Sequence, residues 1–168
     1  MSSVTSMYES FHGCDSLISV NFNNNQTLPV MNTEKMFYKC ISLKSVNLNN
    51  FKASNMSNMF YECSSLTDLN LSNFDTSQVS VMKFAFARCY SLSSVDLSNF
   101  NTIYVKDFHN LFSHCSSLIS LDLDNFNTSN AIDMKNMFYN CSKLISLKIN
   151  NFNTSLIANI SKMFKYVR

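Results

Sequence analysis

Residues 59–74 read MFYECSSLTDLNLSNF, and close copies begin at Met36 (MFYKCISLKSVNLNNF) and at Met137 (MFYNCSKLISLKINNF). Setting the register on the cysteine aligns Cys14, Cys40, Cys63, Cys89, Cys115 and Cys141, at intervals of 26, 23, 26, 26 and 26 residues. Self-similarity at such a period is the mark of a stacked repeat array, in which each unit has an apolar face that only its neighbours can bury.

Within the unit the apolar positions follow C-x-x-L-x-x-L-x-L, as in Cys63, Leu66, Leu69 and Leu71. The final alternation has the period of a strand whose every second side chain enters a core. Upstream of the cysteine the period changes: Val79, Met82, Phe86 and Cys89 lie at steps of three, four and three, which predicts a short helix. The expected fold is therefore α/β, a solenoid of about six strand-turn-helix repeats, with a parallel sheet on one face and short helices on the other. It forms a single domain over residues 1–168, opening with a half repeat at 1–14 and running to about 167.

Stacking puts equivalent residues into columns. Phe11, Phe37, Phe60, Phe86, Phe112, Phe138 and Phe164 form one, and Phe51, Phe74, Phe100, Phe126 and Phe152 another, so that twelve of the fifteen phenylalanines read as core. Asn24, Asn50, Asn73, Asn99, Asn125 and Asn151 follow the strands, where an amide can bond backbone of its own turn and of the neighbouring coil. The methionines Met7, Met56, Met82 and Met134 read as gap-filling core. In turns such as NFDTS, residues 73–77, the Asp, Thr or Ser is expected to cap the following helix. A looser turn is expected at 23–30, which holds the only proline.

Composition narrows the function. Hydrophobic residues make up 46% of the chain, enough for a substantial core, while one Gly and one Pro leave the turns to Asn, Asp and Ser. With 14% charged residues and a formal net charge of +2, the chain has no general attraction for nucleic acid or an anionic membrane. Each cysteine is one rung of a column with the same role as the rest, which predicts six free thiols. No C-x-x-C or H-x-x-x-H pair suggests a metal. His12, His109 and His114 have no evident acid or nucleophile partner, and no catalytic residue, cofactor site or metal site is expected. Residues 1–20 lack a basic start followed by an apolar run, and no apolar segment is long enough for membrane insertion, which reads as an intracellular protein or a piece of a longer one.

The LxxLxL motif followed by an Asn turn resembles leucine-rich repeats. The fuller string MFxxCxSLxxLxLxNFxTS is similar to the BspA-like branch, repeats of about 26 residues in surface proteins of bacteria and protists. The resemblance spans residues 4–164. It implies a right-handed solenoid, a location at the cell surface, and a role in adhesion or protein binding without catalysis.

The strand positions pointing away from the core give the candidate partner-binding residues Asp68, Asn70, Asp96, Asp122, Asp124 and Lys148, a polar face mildly acidic at its middle. A protein partner that is basic or hydrogen-bonding would suit it. The alternative is an intracellular structural protein incorporated into a larger assembly, for example a cytoskeletal one. The segments carrying Val4, Met7 and Phe11 at one end and Ile157, Ile160 and Phe164 at the other suggest end-to-end association with itself or another subunit.

Overall fold

The computed structural model describes residues 4–22 and 30–167; the proline-containing turn, with Asn24 of the asparagine column, lies outside them. The alternating segments form short parallel strands: β1 (Ser19–Asn21), β3 (Ser45–Asn47), β5 (Asp68–Asn70), β6 (Ser120–Asp122) and β7 (Ser146–Lys148). β1, β3 and β5 pair in register, Val20 opposite Val46 and Val46 opposite Leu69, and β6 pairs with β7, Leu121 opposite Leu147. Parallel pairing of residues a repeat apart is what a solenoid requires, because each strand is reached again only after a full coil. Residues 94–97 keep the strand pattern, with Leu97 buried, yet form no ladder with β5 or β6, so the sheet is divided into three strands and two. One backbone–backbone bond, from the Ile119 N–H to the Ser93 carbonyl, ties this coil to the next on the sheet side among the described residues.

A second parallel line joins the coils beyond the Asn-Phe turn. There β2 (Val30–Asn32) pairs with β4 (Lys52–Asn55), and single bridges link Val81, Asp107, Asp133 and Asn159 in succession. The register slips between Met31 and Asn32, in the region where the coil is three residues short.

The expected helices are absent from the described residues; the segment before each cysteine is instead a pair of successive tight turns. Met36 N–H bonds the Thr33 carbonyl and Cys40 N–H the Phe37 carbonyl, each three residues back. The third residue of each turn has positive φ, Lys35 at 54° and Lys39 at 59°. The pattern recurs at Asn58 and Glu62, Phe84 and Arg88, Asn110 and His114, and Asn136 and Asn140. Alternate N–H groups then reach the next coil: Phe37 to Met59 (2.9 Å), Phe60 to Ala85 (2.8 Å), Phe86 to Leu111 (3.0 Å) and Phe112 to Met137 (2.9 Å).

Coil spacing explains the difference. Rings of the first phenylalanine column stack at 5.2 to 5.9 Å from Phe11 to Phe164, all within 13° of parallel. A helix with its side chains is about 10 Å across, too wide for that spacing. The turns fit, at a strain of about 1 kcal/mol for each non-glycine residue in the left-handed region. Burying each phenylalanine of the column contributes roughly 2–3 kcal/mol and its N–H bond to the next coil about 1, so packing outweighs strain.

The core between sheet and turns is filled as the columns predict in the middle coils but not at their ends: Met7, Phe11 and Phe152 are half-buried, and Phe164, expected in the core, is 46% exposed because no described coil packs on its far side. Phe37, Phe51, Phe60, Phe74, Phe86, Phe112, Phe126 and Phe138 are fully buried, as are Met56, Met82 and Met134. Each described cysteine from Cys40 onward donates its thiol to the carbonyl of the column phenylalanine one coil back: Cys40 to Phe11, Cys63 to Phe37, Cys89 to Phe60, Cys115 to Phe86 and Cys141 to Phe112, at 2.9 to 3.2 Å. The asparagine column bridges coils as expected, Asn99 Nδ2 donating to the Leu71 and Phe74 carbonyls and Asn125 Nδ2 to those of Leu97 and Phe100. The threonines do not cap helices. Buried Thr76, Thr102 and Thr128 donate to the carbonyls of Asn101, Asn127 and Asn153 in the next coil, and Asn101 and Asn153 return their N–H groups to the Thr76 and Thr128 hydroxyls.

Candidate interaction surface

The outward residues of the strands line up from coil to coil in columns, and the local chain conformation fixes them. β3, β5 and β6 end in Asn or Asp, the segment 94–97 carries Asp96 at the same place, and β7 has Lys148 there. The Asn or Asp side-chain oxygen accepts the N–H two residues on: Asn47 from Asn49, Asn70 from Ser72, Asp96 from Ser98 and Asp122 from Asp124, at 2.9 to 3.1 Å. This is the turn that Asn and Asp make in place of glycine. One carboxylate oxygen of Asp96 and of Asp122 is therefore committed to the fold, although both residues are exposed. The Ser98 N–H, followed by the Ser98 hydroxyl, holds the Asp96 carboxyl below its ordinary 3.8.

Asp122, Asp124 and Lys148 come together at the C-terminal end of this face. Lys148 Nζ lies 2.7 Å from Asp122 Oδ2, and Asp124 accepts the Asn150 N–H (2.8 Å) and side-chain amide (3.0 Å). The Lys148 ammonium holds Asp122 low and is itself raised by Asp122. Asp68 and Asn70 lie apart from this group. With Asn21 and Asn47 they line a shallow depression of about 610 Å³ over β1, β3 and β5. The six candidates thus fall into an amide-rich depression, an acidic middle at Asp96, and a paired charge cluster at the end. Ile119 and Ile145 flank that cluster, 47% and 80% exposed, and give it an apolar margin.

Two features lay beyond the sequence reading. His12 and His109 do have acidic neighbours, Glu9 and Asp133, each 3.6 Å from the ring Nδ1. On the turns, aromatic side chains of neighbouring coils touch, Tyr38 stacking on Tyr61 at 4.9 Å; the signal was the aromatic residue after the column phenylalanine in MFY. Among the described residues, no group of three or more His, Cys, Asp or Glu could hold a metal ion, and no helix is long and apolar enough to cross a membrane.

Known proteins place the repeat. A leucine-rich repeat protein from Bacteroides ovatus ATCC 8483 superposes with a TM-score of 0.54 at 23% identity, over 87% of this chain and 41% of that one. A leucine-rich repeat protein of T. pallidum aligns with a TM-score of 0.45 at 18% identity, over 81% of this chain and 70% of that one. The chain thus spans less than half the length of the Bacteroides protein. No curated protein matches it. The family model described as "Mycoplasma protein of unknown function, DUF285" matches residues 1–68 and again 54–168. The chain belongs to the DUF285 family, and its fold is that of leucine-rich-repeat proteins, as the resemblance to the BspA-like repeats implied.

Proposed function

We propose that the protein is a non-enzymatic interaction module, of adhesion or recognition type, that presents the outer face of its sheet to another protein. The observation that carries this reading is the set of polar columns held in register by their own turns: a face whose side chains are positioned before any partner arrives loses little freedom on binding. Asp68, Asn70, Asp96, Asp122, Asp124 and Lys148 are the residues we assign to it, with carboxylates for a basic or hydrogen-bonding partner and Ile119 and Ile145 at the margin. Protein-coated beads should adhere to a surface carrying the partner, and Asp68→Lys should weaken adhesion to a basic partner while leaving the thermal melt in place. Asp68 is the better site for charge reversal, since Asp96 and Asp122 also hold turns. Adhesion that Asp68→Lys leaves unchanged would overturn the assignment.

A second reading, incorporation into a larger assembly, is favoured by the exposed apolar side chains of the last coil. Leu156, Ile160 and Phe164 are 59%, 57% and 46% exposed, and Phe164 stacks on Phe138. Light scattering over a concentration series tests it: self-association that Ile160→Ser with Phe164→Asn abolishes supports it, and a monomer at every concentration removes it.

A further inference from the structure

The break in the sheet opens a cleft on its outer face. In β5 the Asp68 N–H bonds back to the Lys44 carbonyl and the Asn70 carbonyl accepts the Leu48 N–H, so Leu69 between them faces forward, successive residues of a strand turning their backbone groups to opposite neighbours. The Leu69 N–H and carbonyl therefore point at segment 94–97, and among the described residues they bond no backbone group there. The seam is clamped at both ends by side chains. The Ser91 hydroxyl donates to the Ser64 carbonyl (2.7 Å), and Asn99 Nδ2 to the Leu71 and Phe74 carbonyls (3.1 and 2.9 Å). Beside the second clamp lies a cleft of about 260 Å³, lined by Leu69, Asn70, Ser72, Asp96, Ser98 and Asn99. Asp96 is its one carboxylate. The Ser98 N–H holds one Asp96 oxygen in place and favours the charged form. Among the described residues no cation pairs with Asp96, whereas Lys52 pairs with Asp75 and Lys148 with Asp122. Lys44, the other basic residue of this face, stands two coils back, and Asp68, Asp122 and Asp124 leave the surroundings acidic.

We propose that this cleft is the anchor point of the sheet face and takes an arginine side chain of the protein partner; the proposal rests on the sheet-face reading above. The second Asp96 oxygen and the Leu69 carbonyl are acceptors, which suits a group that only donates. A guanidinium matches the carboxylate with its planar fork and has donors left for the carbonyl, and it is more weakly hydrated than an ammonium, so it loses less on entering the cleft. A divalent cation is poorly served by a single carboxylate. An inserted strand has no room: it would need these coils about 9.6 Å apart, and the turns hold them with Phe60 stacked on Phe86 at 5.7 Å. The turn that fixes Asp96 also means that little side-chain freedom is lost when the cation binds.

The probe is the blocked tripeptide acetyl-Gly-Arg-Gly amide, titrated into the full chain at low salt and followed by the backbone amide resonances of the protein. Saturable shifts are expected at Leu69, Val95, Asp96 and Ser98. The lysine analogue should bind more weakly, and the citrulline analogue, which keeps the shape without the charge, should not bind. Asp96→Asn keeps the turn, since Asn47 and Asn70 make it at the same place in their coils. It should weaken the arginine peptide about tenfold at an unchanged melting temperature. Asp68→Asn removes the same charge outside the cleft and should weaken it less than about twofold. Three results would each overturn the proposal: no saturable shift at the seam, equal binding of the citrulline peptide, or a loss in Asp96→Asn no greater than in Asp68→Asn. Any of these, with adhesion still sensitive to Asp68→Lys, would remove the anchor and leave the sheet-face reading standing.

Discussion

A buried thiol that donates to a carbonyl one coil away makes cysteine a specific choice at its column, neither a small apolar filler nor half of a disulfide. Phe86, for example, uses its carbonyl twice, for the Cys89 N–H within its own turn and for the Cys115 thiol of the next coil. Burial pushes the Cys40 thiol up to about 11 and the Cys141 thiol to about 12, and lifts Cys63, Cys89 and Cys115 well above the ordinary 9.0. A thiol whose folded value is raised contributes its full stability below 9.0 and loses it as pH rises towards the folded value. Denaturant unfolding above pH 9 should therefore show falling stability, each buried thiol contributing up to about 1.4 kcal/mol per pH unit. Cys115→Val should reduce that slope by about one thiol and cost roughly 1 kcal/mol at neutral pH, through the lost hydrogen bond. A slope identical in the two proteins would remove the role assigned to the thiols. A thiol reagent should label only Cys14 quickly in the folded protein, since it alone among the cysteines is not buried.

Elements show where reading the sequence succeeded and where it stopped. The strands were legible because Leu69 and Leu71, or Leu121 and Leu123, alternate, and alternation has one structural meaning. The helices were misread because Val79, Met82, Phe86 and Cys89 at steps of three, four and three suit a helix and a pair of turns equally well. What separates the two is backbone conformation, and positive φ has no residue signature here: Glu62, Phe84 and Arg88 adopt it as Asn58 and Asn110 do. Only the chain's single glycine, Gly13 at φ 69°, advertises the position. A methyl group added at Gly13 meets no atom within 4 Å, so Gly13→Ala isolates the backbone cost and should destabilise by about 1 kcal/mol in thermal unfolding. Asn58→Ala should cost a similar amount while Asn58→Gly is neutral or stabilising; the reverse order would contradict the turn assignment. The break in the sheet at 94–97 has no counterpart in the sequence that we can identify.

Across the whole molecule, the sheet-face candidates were legible as a surface, because strand parity fixes which side chains point outward. Their second role was not: Asp96 and Asp122 hold turns as well as facing solvent. At this scale the coils are joined by bonds on the sheet, along the β2–β4 line and through the turns, with the phenylalanine columns between them. Because each coil touches only its neighbours, a core substitution such as Phe86→Ala should cost about 3–5 kcal/mol and uncouple the coils on either side, broadening the unfolding transition. The central structural claim is that a leucine-rich-repeat solenoid with this 26-residue period closes its coils with paired turns where helices were expected. Far-ultraviolet circular dichroism tests it directly: the spectrum should show strand and turn without the paired minima of the α-helix, and a helical spectrum accounting for the segments before each cysteine would contradict it.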